Sequence, residues 1–228
     1  MGLPFSERRA RLEAVMGDGI PGWVSITAIT TDRDLAADWF ARFEGAGLDG
    51  VVAKGGNDPY RPNERLMVKV KHHRTADCVV AGYRIHKDGK GVGSLLLGLH
   101  DADGRLHHVG VAASFTAKAR AAMLDELAPL IATDPADHPW GEWAIAQAHE
   151  STRMPGAQSR WSGGKDLSFV PLRPERVVEV HFDQLQGGRR FRHGASLVRW
   201  RPDRDPSSCR YDQLDVAERV APSELLGT

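Results

Sequence analysis

Three stretches of the sequence hold residue types suited to phosphate chemistry. The first is Leu48-Asp49-Gly50-Val51-Val52-Ala53-Lys54. A carboxylate stands just before an apolar strand, beside a glycine that lets another group come close. Such an acid suits a divalent metal at the mouth of a nucleotide pocket. Taken alone, Asp-Gly ahead of a strand is also a common turn. The second stretch is Lys69-Val70-Lys71. Period two along a strand puts both ammonium groups on one face, where they can hold a phosphate together. Taken alone, this also describes the solvent face of an amphipathic strand. What favours chemistry is order: the acid-led strand, a loop holding Tyr60-Arg61-Pro62 and the Lys-x-Lys strand all fall within 23 residues. The third stretch carries Arg189, Arg190, Arg192, Arg199, Arg201 and Arg204, six arginines against one acid, Asp203, in sixteen residues. Guanidinium forks match phosphate geometry. Phe191 and Trp200 interleave with them, which predicts a phosphate- or DNA-contacting face.

The elements that must position these groups are legible in the pattern. Ser6 is a predicted cap for a first helix with Leu12, Val15 and Met16 on its apolar face, stopped by Gly17, Gly19 and Pro21. Residues 23–29 read as a strand. Thr31 or Asp32 caps a second helix with Leu35, Trp39 and Phe43 in one stripe, ended by Gly45 and Gly47. Strands over 51–54 and 66–71 flank a polar loop. From about Thr75 the texture changes to strands over 77–85, 92–101 and 106–113, with Asp88-Gly89 and Asp103-Gly104 as hairpin turns. Thr116 caps a helix with Ala119, Met123, Leu127 and Leu130 as its apolar positions. An irregular stretch over 149–174 follows. Two strands, 176–185 and 191–201, come last, and the tail from Asp205 reads as polar surface chain. Three strands, a helix and two strands is the order of an OB-fold barrel, a common nucleic-acid-binding scaffold.

Composition bounds the rest. The 228 residues carry 30 basic and 30 acidic side chains, so any attraction to nucleic acid must be local rather than global. No apolar run approaches the ~20 residues of a membrane span. The N-terminus lacks the apolar stretch of a secretory signal. Two cysteines, Cys78 and Cys209, make neither a disulfide scaffold nor a zinc site, and a reducing cytoplasm is the expected compartment.

Taken in order, these stretches resemble the covalent nucleotidyltransferases. Asp49 to Lys54 is similar to motif IV, Val68-Lys69-Val70-Lys71 to motif V, and Arg199-Trp200-Arg201-Pro202-Asp203-Arg204 to motif VI. Flanks such as WSGGKDLSFVPLRPERVVEV and RFRHGASLVRWRPDRDP resemble the ATP-dependent DNA ligases of bacteria, in particular the actinobacterial C type. The likeness covers nearly the whole chain. It implies an α+β protein: part of an adenylation α/β sheet over 1–73, an OB-fold over 74–205 and a polar tail over 206–228. It implies nick sealing in three steps: a lysine takes AMP from ATP, AMP passes to the 5′-phosphate, and the 3′-hydroxyl displaces AMP. Asp49 matches the metal-serving acid, with Mg²⁺ or Mn²⁺ as the ion. Lys54, Lys69 and Lys71 match nucleotide-binding lysines, and Arg201, Asp203 and Arg204 match the residues that orient pyrophosphate. Arg204 stands where the family has lysine. Arg189, Arg190, Arg192 and Arg199 are the expected DNA contacts. ATP and nicked double-stranded DNA are the implied partners, together with other DNA-repair proteins, and no membrane.

The family's nucleophile lies in a Lys-x-Asp-Gly motif, which these residues do not contain. Lys87-Asp88-Gly89 is one residue short, and Lys165-Asp166 continues with leucine. No lysine here has the setting that activates an amine for attack on phosphate. The expectation is a chain that begins inside the adenylation domain, cannot adenylate itself, and leaves an unpaired sheet edge with apolar surface exposed. Two other readings compete: a non-catalytic OB-fold DNA-binding module derived from a ligase, and another nucleotidyltransferase such as an RNA ligase or capping enzyme. A capping enzyme does not account for the WSGGKDLSFVPLRP and RFRHGA flanks.

Overall fold

Asp32 shows how local chemistry starts an element here. Its side chain accepts hydrogen bonds from the backbone N–H groups of Asp34 and Leu35, and helix α2 runs from there as Arg33–Arg42. Gly47, with φ 84°, ends the short 3₁₀ turn that follows. Helix α1 (Phe5–Met16) starts differently from expectation. Pro4 precedes it, no side chain caps it, and Ser6 lies inside the helix with its backbone N–H bonded to the Gly56 carbonyl. Proline at the boundary supplies the turn without a hydroxyl cap. The computed structural model describes residues 2–17, 24–134, 138–141, 168–214 and 220. The chain divides into two compact units, Met1–His72 together with Val216–Thr228, and His73–Asp215.

The first unit holds α1, α2 and a two-stranded antiparallel sheet, β1 (Gly50–Ala53) and β2 (Val68–Lys71). Val51 pairs with Val70 and Ala53 with Val68, so one face of the sheet is wholly apolar. That face is exposed: Val68 and Val70 are 62% and 46% accessible. Leu12 and Val15 of α1 are exposed too, and Phe43 is the buried apolar side chain among the described residues of this unit. Residues 24–30 form no regular structure, against the strand expected there; Trp23, Gly19 and Pro21 lie outside the described residues.

The second unit is a closed barrel. Its strands are β3 (Arg74–Ile85), β4 (Val92–His100), β5 (Leu106–Ala113), β6 (Val170–Phe182) and β9 (Ala195–Trp200), joined in the order β3-β4-β5-β9-β6 and back to β3. The step from β5 to β9 is parallel and the rest are antiparallel. With helix α3 (Ala117–Leu127) between the third and fourth strands, this is the expected OB-fold. Gly89 and Gly104, at φ 73° and 78°, turn the first two hairpins. Thr116 caps α3 through the Ala119 N–H, and Met123, Leu127 and Leu130 are buried. The interior is filled by inward residues such as Val79, Leu95, Leu97, Leu99, Val109, Val178 and Val180.

The second half of the barrel departs from the expected pattern. Strand β6 begins at Val170, inside the stretch read as irregular; residues 149–167 of that stretch lie outside the described residues. The strand's two prolines fall where its ladder with β3 is irregular: Pro171 faces Gly82 beside a register shift, and Pro174 lies in the stretch between Pro171 and Arg176 that has no partner in β3. The strand expected over 191–201 is broken. A small hairpin, β7 (Leu185–Gln186) and β8 (Arg190–Phe191), turns on Gly187 and Gly188 with positive φ before β9 starts. Residues 205–214 fold back on the barrel as two 3₁₀ turns, with Cys209 and Leu214 buried. Cys209, Tyr211 and Leu214 pack on the barrel core, so polarity along the chain hides the packing.

Candidate functional site

In the first unit, the register of β1 and β2 sets the chemistry. Gly50 pairs with Lys71, which brings Asp49 beside the Lys71 ammonium at 2.8 Å. That hydrogen bond holds the Asp49 carboxyl below its ordinary range. Gly50 has φ 143°, and a Cβ there would collide with the Val70 carbonyl oxygen, so no other residue fits. Lys69 is paired across from Val52, two residues from Lys71 on the same face, and is exposed. Lys54 lies just past β1, its ammonium 5.0 Å from the Phe5 ring centroid. Arg8 reaches between Phe5 and Tyr60 and donates to the Asp58 carbonyl, which ties α1 to the loop after β1.

In the second unit, the arginines separate into two sets. Arg199, Arg201 and Arg204 are matched by carboxylates. Arg199 Nε donates to Glu179 at 2.6 Å. Arg201 Nη1 lies 3.1 Å from both Asp77 oxygens, while its Nε and Nη2 hold Asp203 at 2.9–3.2 Å. Arg204 Nε stands 3.6 Å from Asp77. Three arginines against Asp77, Glu179 and Asp203 leave this patch near neutral. Arg201 pulls the Asp203 carboxyl down to about 2.

Arg189, Arg190 and Arg192 sit on or beside the β7–β8 hairpin, and no carboxylate pairs with them among the described residues. Arg189 lies over the Tyr211 ring at 5.7 Å, and Arg192 donates to the Gln184 side chain at 2.9 Å. Arg190 is partly withdrawn: its Nε is buried without a partner. Phe191 does not stack beside these arginines. It is buried and stacks on Phe182 at 4.6 Å, so it anchors the hairpin to the core. The aromatic that meets the arginines is Tyr211, in the stretch read as a tail.

Sequence reasoning missed Asp77, Glu179, Gln213 and Tyr211. An acid inside an apolar strand, as Asp77 is, was the available signal, because charges are seldom buried unpaired. Tyr211 and Gln213 carried none, since they follow the last strand. Among the described residues, no group of three or more His, Cys, Asp or Glu forms a cage for a metal, and no helix is long and apolar enough to cross a membrane.

Comparison with known proteins decides the family. Residues 1–71 match the family described as ATP dependent DNA ligase domain, and residues 88–204 match ATP dependent DNA ligase C terminal region. The chain belongs to the ATP-dependent DNA ligase family. It is 55% identical to DNA ligase C of Mycobacterium tuberculosis over 99% of its own length and 63% of that protein's. It is 57% identical to DNA ligase C2 of Mycolicibacterium smegmatis, covering 94% of this chain and 60% of that one. The chain thus spans a little under two thirds of these relatives. A solved structure described as Lig E DNA ligases, DNA binding with a minimal scaffold, matches with a TM-score of 0.51 at 17% identity, over 88% of this chain and 59% of that one. The likeness is one of fold.

Proposed function

We propose that these residues carry the phosphate- and DNA-handling part of nick sealing by an ATP-dependent DNA ligase. The observation that carries the proposal is the pairing of β1 with β2, which sets an acid and two lysines side by side in a chain of this family. Asp49 would hold Mg²⁺ or Mn²⁺. A single half-exposed carboxylate suits Mg²⁺, which keeps its waters and takes phosphate oxygens for the rest of its shell. The ion would supply charge neutralisation at the phosphates. Lys69 and Lys71 would bind the α-phosphate of ATP or AMP, with Lys54 on the extension of the neighbouring strand β1 also serving the nucleotide. Arg201 and Arg204 would orient pyrophosphate, with Asp203 paired to Arg201 in its absence, and Arg189, Arg190 and Arg192 would meet the DNA backbone, with Arg199 beside them but largely neutralised by Glu179. Transfer of this kind depends mainly on position and charge, which these groups supply.

The test is binding of a nicked duplex with a 5′-phosphate, measured against an intact duplex across salt concentrations. With three arginines free of carboxylates, affinity falls roughly 40-fold between about 50 and 200 mM salt. Salt-insensitive binding, or none at low salt, refutes the DNA-facing role. Incubation of the 228 residues with α-labelled ATP leaves no covalent label, because no Lys-x-Asp-Gly lysine is among them. A labelled protein would refute that point and require a nucleophile outside the family's motif.

A further inference from the structure

Arg201 is hydrogen-bonded by two carboxylates that differ in kind, with Glu179 a third, more distant one at 4.0 Å from Nη1. Asp203 is 64% accessible and occupies the Nε–Nη2 edge of the guanidinium, the edge that takes a carboxylate or phosphate two-pronged. Asp77 is 13% accessible and holds the other nitrogen, Nη1, with both oxygens. Asp77 is itself fixed from behind. The Gln213 carboxamide meets its backbone twice: the Asp77 N–H donates to Gln213 Oε1 at 2.8 Å, and Gln213 Nε2 donates to the Asp77 carbonyl at 3.0 Å. Gln213 Nε2 also reaches the Arg210 carbonyl, which ties the clamp to the last turn of the barrel unit. Arg201 donates its own backbone N–H to Val177. One partner is therefore largely shielded, with its backbone tied at both N–H and C=O, and the other is exposed and lies only two residues along the chain.

We infer that Asp77 and Gln213 are positioning residues for Arg201, and that Asp203 occupies the place an incoming phosphate takes. Asp77 keeps the guanidinium aimed while Asp203 swings away, so the binding edge opens without the arginine losing its direction. Asp77 also draws Arg204 toward the same point, at 3.6 Å. The inference rests on the reading of Arg201 as a phosphate ligand, and it adds a fixed anchor and a displaceable guard.

The experiment is calorimetric titration of the full chain with inorganic pyrophosphate, using wild type, Asp77→Asn, Gln213→Ala, Asp203→Asn and Arg201→Ala, each checked for native circular dichroism. Simple electrostatics makes removal of any carboxylate strengthen anion binding. The anchor reading says otherwise for one of the two. Asp203→Asn binds more tightly, by about threefold or more, having lost its competing charge-assisted hydrogen bonds. Asp77→Asn binds more weakly, by roughly tenfold, although it too has lost a negative charge. Gln213→Ala, which leaves every barrel strand intact, weakens binding in the same direction, and Asp77→Glu recovers part of the loss. If Asp77→Asn and Gln213→Ala bind as well as wild type or better, the anchor is refuted while Arg201 remains a phosphate ligand. If wild type binds no better than Arg201→Ala, the phosphate reading falls and the anchor with it.

Discussion

His108 is a side chain whose charge the fold strongly suppresses. It is 5% accessible, its ring lies edge-on to Trp140 at 5.4 Å, and neither ring nitrogen has a hydrogen-bond partner. Burial pushes its pKa down to about 3, with the charges of Arg84 and Arg190 acting the same way. The folded state therefore keeps His108 neutral where the unfolded chain protonates it. Its contribution is complete above the unfolded pKa of about 6.5 and drains away as pH falls toward 3. Asp203 has the same sign lower down: its depressed carboxyl stabilises above the unfolded value of about 3.9 and loses that as pH falls through about 2. The urea midpoint of the barrel should fall steadily from pH 7 to pH 4. His108→Leu should flatten that fall and raise the midpoint at pH 5, since it removes two unsatisfied nitrogens as well as a titrating group. Among the arginines, Arg192→Ala should cut the salt slope of DNA binding by about one, whereas Arg199→Ala, already neutralised by Glu179, should change it little. A slope unchanged in both variants would show that the hairpin does not meet phosphate.

Elements defined by local signals were legible, and those defined by distant partners were not. The strands β3, β4 and β5 alternate or run apolar between glycine turns, and α3 has a threonine cap ahead of a regular apolar stripe. Thr116→Ala should accordingly cost about 1 kcal/mol in thermal or chemical unfolding. The acid-Gly and Lys-x-Lys motifs were equally readable, because the register that joins Asp49 to Lys71 follows from two short neighbouring strands. Gly50→Ala should break that register; loss of the ion pair would appear as a rise of the Asp49 carboxyl toward its ordinary range in an NMR titration. What stayed hidden depended on tertiary contact. Ser6 has a capping residue's chemistry but sits two positions past the N-cap, Pro4. Phe191 alternates with arginines as a stacking platform would, yet the Gly187-Gly188 turn rotates it into the core. Pro171 and Pro174 lie in the stretch read as irregular, and the matching irregularity in β3 lets the strand run through them.

At the scale of the molecule, apolar burial is divided unequally. The barrel unit holds nearly all of the buried side chains, whereas the described residues of the first unit bury Phe43 and leave the valine face of β1 and β2 open. Residues 73–214 made alone should unfold in one cooperative transition with native-like circular dichroism. Residues 1–72 made alone should show no such transition. The barrel's closure has a consequence in time. Strands β3 and β6 pair along most of their length, but β5 meets β9 only through Ala112 with Ala195 and Ala113 with Ser196, across more than eighty residues of chain. A pairing so short and so distant in sequence forms late in folding, after the long loop has been closed. It is also the least costly to undo. Amide protons along this seam should exchange well ahead of those between β3 and β6, so the closed barrel breathes as a cylinder slit along one line, beside the strand that carries Arg199.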